Sequence, residues 1–397
     1  MKILSHRIQQ LTESETLQMA KMSRELKAKG IDIVDLSLGE PDFDTPQFIK
    51  DAAKKAIDEG WTKYTPVSGF LDLRQAISEK FKRDNNLNFS PEQIVVSTGA
   101  KQSIANAMLV LLNEGDEVII PSPYWVSYRE MVKLGEGKIV TISSSVENDF
   151  KITADQLKAA ITPRTRIFCF SSPCNPTGSV YTKDELKALA DVLAPHENII
   201  VISDEIYEYI NFNNRHESIA QFDNMKDRVV VVNGCSKGYS MTGWRVGYIG
   251  APLWIAKACD KMQGQITSGT CSVSQRAALA AISGSLEETE KMRNAFLNRR
   301  NMVKQLIDEM PGVKTNNPDG AFYFFPDVSS YFGKKFSNTE IKNATDLSLF
   351  LLNEGHVAIV TGAAFGDEKC LRISYATSEE KLREAMKRMK NTLAKLS

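Results

Sequence analysis

The chain has no excess charge of either sign. Lys+Arg and Asp+Glu number 49 each in 397 residues, so no broad field draws in nucleic acid or an anionic membrane, and any anion must be held by a local pocket. It also lacks a long apolar run: nothing approaches the ~18–20 consecutive apolar residues that a membrane helix needs. Residues 1–10 are polar and carry no signal-like apolar segment. The six cysteines, Cys169, Cys174, Cys235, Cys259, Cys271 and Cys370, contain no C-x-x-C pair, which argues against a zinc site and a disulfide framework. Reduced, mostly buried thiols in a soluble cytoplasmic protein are the expectation. With 42% hydrophobic and 25% charged residues, the composition is that of an ordered globular protein. The length calls for two domains, or one large and one discontinuous.

Short apolar runs alternate with amphipathic stretches through the middle of the chain. Strands are expected near 94–96, 118–120, 138–141, 167–170, 199–202, 229–232 and 248–249, with helices at 100–112, 125–134, 154–160 and 183–193. That pattern predicts an α/β fold: a mostly parallel seven-stranded sheet covered by helices on both faces, with ligands outside the carboxyl ends of the strands. Ahead of it, a helix over 11–30 would place Leu17, Met19, Met22 and Leu26 on one side, followed by a strand over 31–36 and helices over 46–60 and 71–83. Beyond residue 275 come two helices, 274–283 and 286–310, and then a pattern of short strands and helices ending in a basic helix over 379–396. This reads as a smaller α+β domain joined by the N-terminal segment. The expected division is 46–289 for the large domain, and 1–45 with 290–397 for the small one.

Polar residues stand at the ends of the buried strands. Lys237 follows Val229-Val230-Val231-Val232 in a loop of glycines and hydroxyls, with Arg245 eight residues on. A lysine desolvated there can act as a neutral amine and form a Schiff base; its other reading is a solvated loop lysine. Asp204 follows Ile199-Ile200-Val201-Ile202, where a carboxylate needs a cationic partner, or caps a following helix. The turn Ser97-Thr98-Gly99-Ala100-Lys101, at a helix start, offers backbone N–H groups suited to a phosphate.

The set goes further: Asn175-Pro176-Thr177-Gly178, then Asp204 with Tyr207, then Ser236-Lys237 with Arg245, then Leu371-Arg372-Ile373-Ser374-Tyr375. In that order the motifs resemble the fold-type I pyridoxal-phosphate enzymes, and within them the class I/II aminotransferases. The resemblance runs from Gly39-Glu40-Pro41-Asp42-Phe43 through Tyr64-Thr65 and Pro121-Ser122-Pro123-Tyr124-Trp125 to Arg372. It implies that Lys237 holds pyridoxal 5'-phosphate and later moves a proton at the substrate α-carbon, while Asp204 keeps the pyridine nitrogen protonated. Asn175 and Tyr207 would bond the ring oxygen, and Trp125 would stack on the ring. The phosphate would take Arg245, Ser236 and the turn Gly99-Ala100-Lys101, with Tyr64 reaching in from the second subunit of a homodimer. Arg372, Gly39 and Asn175 would hold the substrate α-carboxylate.

Within the family the chain most resembles the branch that includes bacterial aspartate aminotransferases. No arginine lies in 263–275, where one group of those enzymes reads the distal carboxylate. The other group uses a lysine on the phosphate-turn helix and hydroxyls from the N-terminal segment, which here are Lys101, Ser14 and Thr16. The resemblance therefore implies transfer of an amino group from L-aspartate to 2-oxoglutarate, both small-molecule substrates. A broader transaminase for aromatic, alanine or prephenate-like substrates, and a cysteine-S-conjugate β-lyase using the same residues, are the alternatives.

Overall fold

A computed structural model describes residues 3–213, 215–337 and 339–397. Its centre is a sheet of seven strands, β1 (Ile94–Ser97), β2 (Glu117–Ser122), β3 (Lys138–Ser143), β4 (Thr165–Ser171), β5 (Ile200–Asp204), β6 (Val229–Gly234) and β7 (Gly247–Gly250). Their spatial order is β1-β7-β6-β5-β4-β2-β3. Only β7 runs against its neighbours, pairing antiparallel with both β1 and β6. The expected mostly parallel sheet is present.

Side chains alternate across this sheet because strand periodicity is two. Val229 and Val231 enter one core with Ile77, Phe81, Leu186 and Ala278, while Val230 and Val232 enter the other with Ile104, Met108, Tyr128 and Ile255. Both faces are thus covered, which is why the strands read as unbroken apolar runs. Two of the covering helices start where side chains satisfy free backbone N–H groups. Ala154–Ala160 and Lys183–Leu193 both open on a capping box, Thr153 with Gln156 and Thr182 with Glu185.

A separate core gathers Phe296 and Val303 of the helix Glu287–Asp308 with Phe322, Phe324, Leu347, Ile373 and Leu382. Above it lies a small antiparallel sheet in which Leu371–Ser374 is flanked by Val360–Thr361 and Tyr323–Phe324. Val34–Asp35 pairs in parallel with Val357–Ala358, so the N-terminal segment lies against the C-terminal part of the chain.

Several elements differ from the sequence reading. The helix expected over 11–30 is present but shorter, Glu15–Ala28, and a separate short helix not foreseen, His6–Gln10, precedes it. Between them the Thr12 N–H and hydroxyl both donate to the Glu130 carboxylate, at 3.1 and 3.0 Å, and this tertiary tie draws the chain out of helical register. Leu17 is 68% exposed rather than on the apolar side. The strand expected over 31–36 shrinks to Val34–Asp35, and a helix not foreseen, Leu253–Ile266, buries Ile255, Ala256 and Cys259 beside Ile104 and Met108. Four of the cysteines are buried; Cys174 is half-buried and Cys271 exposed. No described helix is long and apolar enough to cross a membrane.

Candidate active site

The carboxyl ends of β1, β4, β5 and β6 open into a cleft of about 440 Å³, and the small-sheet strand Leu371–Ser374 closes it from the other side. Topology alone makes this the place for a ligand: the last residues of parallel strands point their following loops, and their free backbone groups, into one crevice. Thirteen of the residues singled out in the sequence line it: Ser14, Thr16, Gly39, Ala100, Lys101, Trp125, Asn175, Asp204, Tyr207, Ser236, Lys237, Arg245 and Arg372. Gly99 and Tyr64 do not. Gly99 sits just behind the wall, and Tyr64 is 98% exposed on the outside of the molecule.

Lys237 is half-buried, and its Nζ donates to the Gly39 carbonyl at 2.5 Å. Its pKa is lowered to about 8, chiefly by burial, with Arg372 and Arg245 acting in the same direction and Glu40 and Asp204 opposing them. An amine of that pKa is free base for an appreciable fraction of the time near neutral pH. Gly39 has to be a glycine here, since a Cβ would lie 2.5 Å from the Tyr323 hydroxyl oxygen.

Asp204, the last residue of β5, is 4% exposed. Its pKa is raised to about 6, chiefly by burial and also by Glu205, against the Tyr128 hydroxyl, the Ile206 N–H and Lys237, which stabilise the anion. The Tyr128 hydroxyl donates to Oδ2 at 2.6 Å and the Ile206 N–H to Oδ1 at 3.2 Å. No helix follows, so the capping role considered for Asp204 falls away. Tyr207 is likewise buried, its hydroxyl 2.8 Å from that of Tyr323, and burial with the neighbouring Tyr323 pushes its pKa up.

Arg372 is 2% exposed. Nη1 donates to Asn175 Oδ1 at 3.2 Å and Nη2 to the Ser37 carbonyl at 2.5 Å, while Nε is buried without a partner. Its guanidinium lies 4.7 and 4.8 Å from the Tyr323 and Phe365 ring centres. Buried arginines are normally paired with an anion, and among the described residues Arg372 forms no ion pair. Neither do Lys101, Lys237 or Arg245. Four cationic side chains therefore face two acids, Glu40 and Asp204, across one cleft, a charge balance suited to anionic ligands.

The turn expected from the sequence to hold a phosphate has its own geometry. Gly99, at φ 84°, precedes the helix Ala100–Leu111, whose first turn contains no acidic residue. A Cβ on Gly99 would lie 2.4 Å from Arg245 Nη2, and one on Gly247 2.1 Å from the Ala100 nitrogen. Only glycines let the guanidinium and the helix start approach so closely. Lys101 Nζ lies 5.1 Å from the Trp125 ring centre, and burial with the nearby Arg245 lowers its pKa. Ser14 caps the helix Glu15–Ala28 without a side-chain bond, and Thr16 Oγ1 is buried and unpartnered. Both hydroxyls are free to face a ligand.

The sequence reading assigned no role to Tyr128 and Tyr323, which carry the bonds to Asp204 and Tyr207, or to Glu40, Leu17 and Leu38 at the mouth. Tyr323 lies inside the apolar run Ala321-Phe322-Tyr323-Phe324-Phe325, where the alternation of a strand was the only available signal for its facing.

Comparison with known proteins places this geometry. A family model described as "Aminotransferase class I and II" matches residues 31–389. An aspartate/prephenate aminotransferase of Cereibacter sphaeroides is 47% identical over the full length of both chains, and an aspartate aminotransferase of Bacillus subtilis is 45% identical over 99% of this chain and all of its own. Among solved structures, the aspartate aminotransferase of Rhizobium meliloti superposes with a TM-score of 0.96 at 41% identity over 99% of both chains. That of Thermus thermophilus with maleate superposes with a TM-score of 0.92 at 38% identity, covering 99% of this chain and all of that one. The chain belongs to the aminotransferase class I and II family.

Proposed function

We propose that this aminotransferase uses pyridoxal 5'-phosphate to move the amino group of L-aspartate to 2-oxoglutarate, giving oxaloacetate and L-glutamate. Family membership implies the cofactor, and the residues present fit it. The observation that carries the reading is the pairing of a lysine with pKa near 8 and a buried, cation-seeking Asp204 in one cleft rich in unpaired positive charge. The orphaned Arg372 Nε and the glycine-cut cradle between Gly99 and Arg245 suit two further anionic groups, a carboxylate and a phosphate.

In this reading Lys237 is the attachment point and Asp204 holds a proton on the pyridine nitrogen. When bound, the cofactor supplies an electron sink for the pair left at the substrate α-carbon. Lys237, as a free amine, then takes the α-proton and returns it during transfer, a task for a base with pKa close to ambient pH. Asn175 and Tyr207 bond the ring oxygen, and Trp125 covers the ring face. Ser236, Arg245 and the backbone of Gly99, Ala100 and Lys101 hold the phosphate. Arg372, with Gly39 and Asn175, grips the α-carboxylate through its planar fork. Residues 46–289 form the cofactor domain, and 1–45 with 290–397 contribute Gly39 and Arg372. Tyr64, on the outside of its own chain, serves the second site of a homodimer in the cytoplasm.

Lys101, Ser14 and Thr16 read the distal carboxylate. Replacing Lys101 with alanine is expected to lower kcat/KM for aspartate by about tenfold or more, the worth of one charge-assisted bond, and to leave alanine as donor nearly untouched. Steady-state comparison of aspartate, alanine and phenylalanine checks this; equal losses for all three contradict it. The first-named relative also carries prephenate in its name. A distal cation serves any second carboxylate, so prephenate belongs among the acceptors tested.

A further inference from the structure

A second cluster of ionisable groups lies behind the cleft. Glu205, which follows Asp204, is turned away from the cleft and is 1% exposed. Its Oε1 accepts from the Ser203 and Ser218 hydroxyls at 2.8 and 2.6 Å, and its Oε2 lies 2.9 Å from His216 Nε2. Glu208, one turn on, pairs with the Lys80 ammonium and accepts from Asn85 Nδ2 at 2.8 Å, while Lys80 donates to Asn85 Oδ1 at 2.7 Å. Lys80 is fully buried and the His216 side chain is 6% exposed.

Side-chain atoms of Glu205, Glu208 and His216 lie within 4.8 Å of one another. The Lys80 ammonium already supplies a cation at Glu208, so the question is what balances Glu205. With a neutral imidazole the cluster holds two carboxylates against one ammonium; with an imidazolium it holds two against two. An unmatched charge in such a place is strongly disfavoured. The charged groups facing His216 are Glu205 and Glu208 from the turn after β5 and Lys80 from the helix Leu71–Asn85. Burial and Lys80 lower the His216 pKa, the two carboxylates raise it, and the net direction is up. Glu205 in turn is one of the groups that raise Asp204.

We propose that His216 is a positioning residue for Asp204: held as an imidazolium against Glu205, it cancels the negative charge behind the Asp204 carboxylate and keeps that carboxylate available as an anion to a cation in the cleft. The link to the cofactor ring rests on the function proposed above; the charge state of His216 does not.

Nitrogen-15 NMR of histidine-labelled protein, with and without cofactor, should show both His216 ring nitrogens protonated at neutral pH, and Glu205→Gln should return the ring to its neutral form. In the holoenzyme, His216→Gln is expected to raise the pH midpoint of the cofactor absorbance change by about one unit. Adding Glu205→Gln, which removes the matching negative charge, should bring the midpoint back. Loss of mere packing would not be repaired by a second substitution. A neutral His216 ring in the unsubstituted protein overturns the inference, as does an unmoved midpoint in His216→Gln or a double variant further from normal than the single one. The absence of any cofactor spectrum would instead overturn the proposed function and leave the NMR result standing.

Discussion

Lys237→Ala is expected to lower kcat by at least about 10⁴-fold, because on the function proposed above it removes both the attachment point of the cofactor and the base that moves the α-proton. No neighbour can stand in. The phenols of Tyr207 and Tyr128 are pushed up by burial and, for Tyr128, by Asp204, so neither is a base near neutral pH. Lys101 Nζ is held over the Trp125 ring, 5.1 Å from its centre. Single-turnover kinetics with aspartate, together with the loss of the visible absorption of the lysine-bound cofactor, checks the point. A near-normal rate in Lys237→Ala contradicts the account.

Asp204→Asn is expected to cost about 10³-fold in kcat, the upper end of what removing one preorganised electrostatic partner costs, and yet to stabilise the cofactor-free protein. The side-chain amide keeps an acceptor oxygen for the Ile206 N–H and turns its NH2 toward the Tyr128 hydroxyl, whose oxygen can accept, and it carries no charge. The carboxyl moves from an ordinary 3.8 to about 6 on folding, roughly two units at about 1.4 kcal/mol each, or about 3 kcal/mol. A raised folded-state pKa means that the group's contribution to stability is complete below pH 3.8 and is lost as pH rises through 6. At neutral pH the buried anion therefore burdens the empty protein, and the asparagine does not. Denaturant unfolding of the two apoproteins across that range should show their stabilities diverging, with Asp204→Asn the more stable above pH 6. The cofactor, when bound as proposed, would supply the missing cation and should narrow the gap. Equal stabilities at neutral pH, or retained turnover, would go against this assignment.

Such a residue, costly to the fold and needed by the chemistry, is what a functional site leaves in a stable scaffold. The same logic covers Arg372. Its Nε is buried without a partner, a state that a bound carboxylate would relieve.

Much of this was legible in the sequence because the fold puts chemistry where buried strands end. Asp204, Lys237 and Asn175 stand in the polar turns that follow apolar runs, and that contrast is visible without coordinates. Arg372 is legible in another way, as a charged residue between apolar neighbours in a strand. Tyr128 and Tyr323 were opaque, since a tyrosine among apolar residues reads as core, and only the packed structure brings their hydroxyls to Asp204 and Tyr207. The Lys80, Glu208, Glu205 and His216 cluster joins a helix to a turn more than a hundred residues away, as the Asn85–Glu208 bond does across 123 positions, and local pattern carries no trace of it. The break between the first two helices depends on Glu130 reaching Thr12. Periodicity in 11–30 could not foresee that tie.

The most direct test of the central claim is the absorption spectrum of the purified protein before and after addition of aspartate alone, with no 2-oxo acid present. The account predicts a visible band from the lysine-bound cofactor that gives way to the pyridoxamine form, with oxaloacetate released in an amount equal to the cofactor. A protein with no such band after reconstitution with pyridoxal 5'-phosphate, or one whose band is unmoved by aspartate, would contradict it.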